Sequence, residues 1–147
     1  MQGLFWFRRS FNSVHDPREA IVSLAVAYEC LLSDGYAKGI TDKIRGRAAV
    51  CIGSGLHTEA ETAAVRDLFD ARGAVVHKGS TSTKPDMTAA RRSFVRCFVR
   101  VVQGLGTLPP SVDEPIAHVL GDGAMKPPRL IVRLRRAYEA FKSNRAE

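Results

Sequence analysis

Apolar residues recur along this chain with a period near 3.6, and no run alternates between apolar and polar over a strand's length. The pattern predicts an all-α protein. The first strong helix opens at "DPRE", where Asp16 suits the N-cap, Pro17 the first helical position, and Glu19 completes capping-box spacing. Ile21, Leu24, Ala25, Tyr28, Leu31 and Leu32 form its apolar stripe, and "SDGYAKG" breaks it. Ahead of it, Phe5, Trp6, Phe7 and Phe11 predict a packed arm or short helix. A second helix opens at "TDK" with Thr41 as cap, carries Ile44, Ala48 and Cys51 at i, i+4 and i+7, and ends near Ile52 before "GSG". A third begins near Thr58, with capping-box spacing to Glu61, and carries Val65, Leu68 and Phe69 into "ARGAVVHKG". Beyond the loop "KGSTSTKPD" a fourth helix follows Asp86 and carries Phe94, Cys97, Phe98, Val101 and Val102 as far as "GLG".

The pattern then changes. "TLPPSVDEP" and "GDGAMKPP" bracket a short helix around Ile116 to Leu120. From about Arg129 a last segment reads as an amphipathic basic helix, with Ile131, Leu134, Tyr138 and Phe141 on one side and Arg129, Arg133, Arg136 and Lys142 around the rest. The expected architecture is an antiparallel bundle of four main helices with an additional C-terminal basic amphipathic helix. A chain of 147 residues predicts one domain, 1–147, with a core over about 16–105 and a helical extension over about 110–147.

Composition narrows the class. No stretch approaches the roughly 18 apolar residues of a membrane span. The start, "MQGLFWFRRSF", is apolar and then basic, the reverse of a signal peptide. Cys30, Cys51 and Cys97 are widely spaced, each in an apolar helical context, and fit buried free thiols in a reducing cytoplasm. The net charge of +7, mostly arginine, attracts polyanions and nucleic acid first, although a solvated basic surface accounts for it equally well.

Most catalytic signatures are missing. There is no phosphate-binding glycine loop, no dinucleotide fingerprint after a strand, and no metal-ligand spacing among His15, His57, His77 and His118. No cofactor is expected. Ser54 in "GSGLH" lacks a nucleophile elbow and reads as a helix-ending serine. Arg72 and His77 remain. A guanidinium fits a phosphate bidentately, and an imidazole moves protons near neutral pH. Together they can cleave RNA without metal: His77 takes the ribose 2'-hydroxyl proton or donates one to the leaving 5'-oxygen, and Arg72 stabilises the charge building on phosphorus. DNA, lacking the 2'-hydroxyl, is not a substrate for this chemistry. Gly79 and the loop after it end the helix, which puts Arg72 in the last turn and His77 near the terminus. Five residues turn a helix by about 140° net, so the two side chains do not share a stripe. On spacing alone the pair reads more readily as a C-capping histidine and an ordinary surface arginine than as a site.

The wider context resembles a known family. "VRDLFDARGAVVHKG" resembles the core motif of the HEPN superfamily, in particular the Apea-like branch, with Phe69, Arg72, Val75, Val76 and His77 on the pattern and Gly79 one residue late. "IVSLAVAYECLL" is similar to that family's first core helix through Glu29 and Leu31, and "DKIRGRAAVCIG" to the next through Arg47, Ala48 and Ala49. The three blocks keep the family's order over roughly residues 16–103. The resemblance implies an all-α bundle and a metal-independent endoribonuclease, often found in defence or toxin–antitoxin systems. It also implies a homodimer whose two Arg72/His77 motifs face across the interface; RNA and an antitoxin or defence partner protein are the implied partners. Other members are non-catalytic modules that bind RNA or protein. Two positions depart from the pattern: Gly73 stands where a polar residue is common, and Lys78 is inserted before Gly79. Supporting roles fall to Glu29, a surface carboxylate or a buried partner orienting Arg47 or Arg72, and to Arg47, better suited to a core salt bridge than to RNA. Lys78, Arg129, Arg133 and Arg136 are weaker RNA-contact candidates; the last helix serves as a solvated face or as an RNA guide.

Overall fold

The computed structural model describes residues 2–12, 16–35, 39–54, 57–80 and 83–121. These form six α-helices and no strand: α1 (Gln2–Asn12), α2 (Pro17–Leu32), α3 (Ile40–Ile52), α4 (Thr58–Lys78), α5 (Met87–Leu105) and α6 (Pro115–Leu120). The all-α expectation holds across them. The anticipated basic helix, with Arg129, Arg133 and Arg136, lies outside the described residues.

Helix starts follow local chemistry, with instructive exceptions. Asp16 caps α2 by accepting from the Arg18 amide at 2.9 Å, with Pro17 next in line. Glu19 does not close the expected capping box; its carboxylate reaches across to Arg9 of α1 at 2.6 Å. Asp86 caps α5 through the Thr88 and Ala89 amides at 3.0 and 2.9 Å. Thr41 is not a cap, because α3 has already begun at Ile40. Thr58 is not one either: α4 starts from His57, and the buried Thr58 hydroxyl has no hydrogen-bond partner. Glu61, assigned by spacing to that box, turns into the interior and is 1% exposed. Burial of one helix face outweighs a capping hydrogen bond of about 1 kcal/mol.

The core lies where α2, α3, α4 and α5 meet, each touching the other three. An aromatic cluster sits at its centre. Phe94 packs edge-to-face on Tyr28 at 5.3 Å and stacks on Phe7 of α1 at 4.5 Å, and Phe69 meets Tyr28 at 6.2 Å. The Tyr28 hydroxyl donates to the Ala90 carbonyl at 2.7 Å, which satisfies it in the interior. The aromatic segment before Asp16 is α1, laid along α2. Val102, expected on the buried stripe of α5, is exposed; Val95 and Val99 are exposed beside it. Cys51 and Cys97 are buried as expected, but Cys30 is exposed, a correction that follows from its place two residues from both buried Tyr28 and buried Leu32, about 200° around α2 from that face.

Candidate functional site

α4 ends at Gly79, as the sequence predicts. Gly73 lies in mid-helix, and the helix runs on to Lys78, so Arg72 stands almost two turns before the end and not in the last turn. Gly79 ends it at φ 69°, the left-handed conformation that favours glycine, and its amide donates to Val75 O at 2.9 Å. His77 and Lys78 therefore occupy the last turn, where a helix's negative end favours cations. Both are exposed. Arg18, at the start of α2, donates to the Gly79 carbonyl at 3.2 Å, which ties the motif's end to α2.

Arg72 has one partner on α2. Its guanidinium meets Glu29 at 3.2 Å, with the two side chains 31% and 26% exposed. Of the two arginines offered to Glu29 by the sequence, the structure selects Arg72. The Arg72 Nε–H is buried without a hydrogen-bond partner, so the guanidinium is only partly satisfied. The pair forms one wall of a cleft of about 690 Å³, which also takes in Val26, Asp34 and Thr41. His77 is not part of that wall. From Arg72 it lies about 7.5 Å along the helix and about 140° around it. Nothing stands close to Gly73: a β-carbon there meets no atom within 4 Å.

Arg47 is a core residue. It is 2% exposed and meets Asp34, 6% exposed, at 2.8 Å, while its other terminal nitrogen donates to the Leu32 carbonyl. Asp34 does more. It accepts from the Ile116 and Ala117 amides at 2.6 and 3.1 Å and so caps α6 from more than eighty residues away. By sequence Asp34 is only part of the helix-breaking stretch "SDGYAKG". Its signal was there: an aspartate just past a helix end is a ready acceptor for orphan amides elsewhere.

A second cluster was also missed. Arg92, Arg96 and Arg100 repeat at i, i+4 and i+8 on α5, a spacing that puts them in one exposed row. Arg92 and Arg96 lean on the buried Glu61 carboxylate at 3.9 and 3.4 Å, and neither Glu61 oxygen has a hydrogen bond. Among the described residues no helix is long and apolar enough to cross a membrane, and no group of three or more His, Cys, Asp or Glu is placed to hold a metal ion. Set against family models, curated proteins and solved structures, the chain matches none of them.

Proposed function

We propose that the chain is a metal-independent endoribonuclease of HEPN type, cytoplasmic, acting in a defence or toxin–antitoxin setting. In this reading α2 to α5 are the antiparallel bundle of that family. The observation that carries it is the α4 motif: Arg72 is held by Glu29 in a cleft wall with its side chain partly open to water, and an exposed imidazole follows in the last turn of the same helix. Arg72 binds the scissile phosphate and stabilises the charge that develops on it. His77 supplies proton transfer at the 2'-hydroxyl or the leaving 5'-oxygen.

One copy leaves the two side chains on different sides of α4. A homodimer joined near the α4 C-termini resolves this, since each copy then lends its His77 to a shared cleft. Val76, exposed beside His77, supports that contact. The test is incubation of the purified protein with structured and single-stranded RNA in EDTA. Cleavage leaving cyclic phosphate ends, lost in His77→Ala and Arg72→Ala, is the expected result; cleavage that survives both substitutions overturns the assignment.

A second reading has its own support. No described residue holds the His77 ring by a hydrogen bond, whereas the α5 arginine row offers a ready polyanion surface. A non-catalytic RNA-binding module predicts salt-sensitive binding without turnover, unchanged by His77→Ala and weakened by Arg96→Ala with Arg100→Ala.

A further inference from the structure

Large apolar side chains that stay in water gather mainly in two places: on α1, and along α5 with the adjoining end of α3. On α5, Val95, Val99 and Val102 are 47%, 46% and 49% exposed. They recur at i, i+4 and i+7 and so form one stripe about 10 Å long. Arg92, Arg96 and Arg100 run along one edge of that stripe. Between α5 and the end of α3 lies a cleft of about 600 Å³, lined by Val95, Val99 and Ile52 and by Arg96 and Arg100. We propose that this cleft and the valine stripe beside it are a docking surface for an amphipathic helix of a partner protein, one whose apolar stripe is flanked by aspartates and glutamates.

Charge decides the occupant. α5 contains no aspartate or glutamate, and none lines the cleft. Glu61, against which Arg92 and Arg96 lean, is 1% exposed and accepts no hydrogen bond from either. The face therefore asks for apolar contact and negative charge together. A second copy of this chain does not supply both, because an antiparallel α5 pair sets one arginine row beside the other. The chain's own segment 129–143 carries Arg129, Arg133, Arg135 and Arg136, the same sign again. Nucleic acid has the charge but binds through its phosphates and leaves the valines in water. An acidic amphipathic helix meets both demands.

The seat is partly built in advance. Arg100 donates to the Val50 carbonyl at the end of α3 at 3.0 Å, which fixes its guanidinium at the rim of the cleft. Arg96 is 44% exposed, and its 3.4 Å contact with Glu61 carries no hydrogen bond, so a partner carboxylate on its water-facing side forms the stronger pair. The incoming helix lays its apolar stripe on Val95, Val99 and Val102 and sets one side chain over Ile52, with its carboxylates toward the two arginines. None of these residues lines the Arg72 cleft, so the surface stands apart from the ribonuclease reading and is tested without it.

The test uses the full chain and three labelled probes followed by fluorescence anisotropy. The first is a helical peptide of about 18 residues with leucines at i, i+4 and i+7 and glutamates around them. The second is a peptide of residues 129–143 of this chain, and the third a single-stranded RNA. The glutamate peptide should bind with a Kd of micromolar order and the 129–143 peptide at least about tenfold more weakly. Val95→Ser with Val99→Ser should weaken the glutamate peptide about tenfold or more, with the Tm recorded on the same sample; Arg96→Ala with Arg100→Ala should do the same. Should the valine pair unfold the chain, Gln103→Glu serves in its place, since it sets a like charge at the cleft rim without touching the core. No binding of the glutamate peptide overturns the proposal, as does binding that ignores the valine and rim substitutions. Preference for the 129–143 peptide, RNA bound at this face in place of the glutamate peptide, or a dimer that sedimentation shows to be broken by the valine pair overturns it as well.

Discussion

Asp34 and Glu29 stand five residues apart at the end of α2, and each takes an arginine. Asp34 pairs with Arg47 inside the fold and Glu29 with Arg72 at the wall of a cleft. The chemistry of the two pairs is the same, but their surroundings are opposite. In the inner pair Asp34 accepts a guanidinium and two backbone amides, while Arg47 also reaches the Leu32 carbonyl. Both charges are fully employed in holding α2, α3 and α6 together. In the outer pair water reaches both partners, the contact is longer, and Arg72 retains an N–H without a partner. A buried pair so completely satisfied serves architecture, whereas a partly exposed guanidinium is open to a second anion on its water-facing side.

That contrast makes graded predictions. Arg47→Ala strands the Asp34 charge in the interior and loosens the α6 cap, so urea unfolding should show a loss of about 3–5 kcal/mol. Removing Glu29 should cost under about 1 kcal/mol, because half-exposed ion pairs contribute little, while Arg72 loses its tether. Comparable losses in the two variants would erase the distinction between the pairs. Gly79→Ala forces alanine into left-handed backbone and should cost about 1–2 kcal/mol, frayed from the His77 end and visible by hydrogen exchange.

Gly73→Ala runs the other way. With open space around it in a helix interior, alanine should stabilise by about 0.5–1 kcal/mol, read as a raised Tm. No gain would mean that the backbone beside Arg72 is not helical in solution. The smallest effect concerns pH at the α2 start. The Arg18 side-chain and backbone hydrogen bonds lower the Asp16 pKa from 3.8. A depressed carboxylate contributes stability above its unfolded value and loses it as pH falls through the folded one. Asp16→Asn should therefore differ from the parent near neutral pH and converge with it below about pH 3 in a Tm–pH series.

Much of the fold was legible because helix periodicity and two aspartate caps act over a few residues. Asp16, Asp86 and a short helix around Ile116 to Leu120 were all readable, as were the stripes of α2 and α5 apart from Val102. What escaped was non-local. Glu19 and Glu61 had capping-box spacing, yet one found an arginine on α1 and the other was drawn into the core. Asp34 caps a helix that begins eighty residues later, which no local window can reveal. Gly79 was readable as the helix end from the loop that follows it, and of Gly73 and Gly79 only it takes positive φ, because only there does the chain turn. For the candidate site, Arg72, His77 and Glu29 were all named in advance. The choice of Arg72 over Arg47 as the partner of Glu29 needed the packing of α2 on α4. The row Arg92, Arg96 and Arg100 was readable at i, i+4 spacing and was passed over in favour of the more arginine-dense C-terminal segment.

One measurement addresses the division between the two pairs most directly: single-turnover RNA cleavage in EDTA, with Tm recorded on the same samples, for the parent and Arg72→Ala. The outer arginine as a phosphate-binding group predicts a rate loss of about 10²–10³ with a Tm within a few degrees of the parent. An unchanged rate, or a Tm collapse matching that of Arg47→Ala, would contradict it.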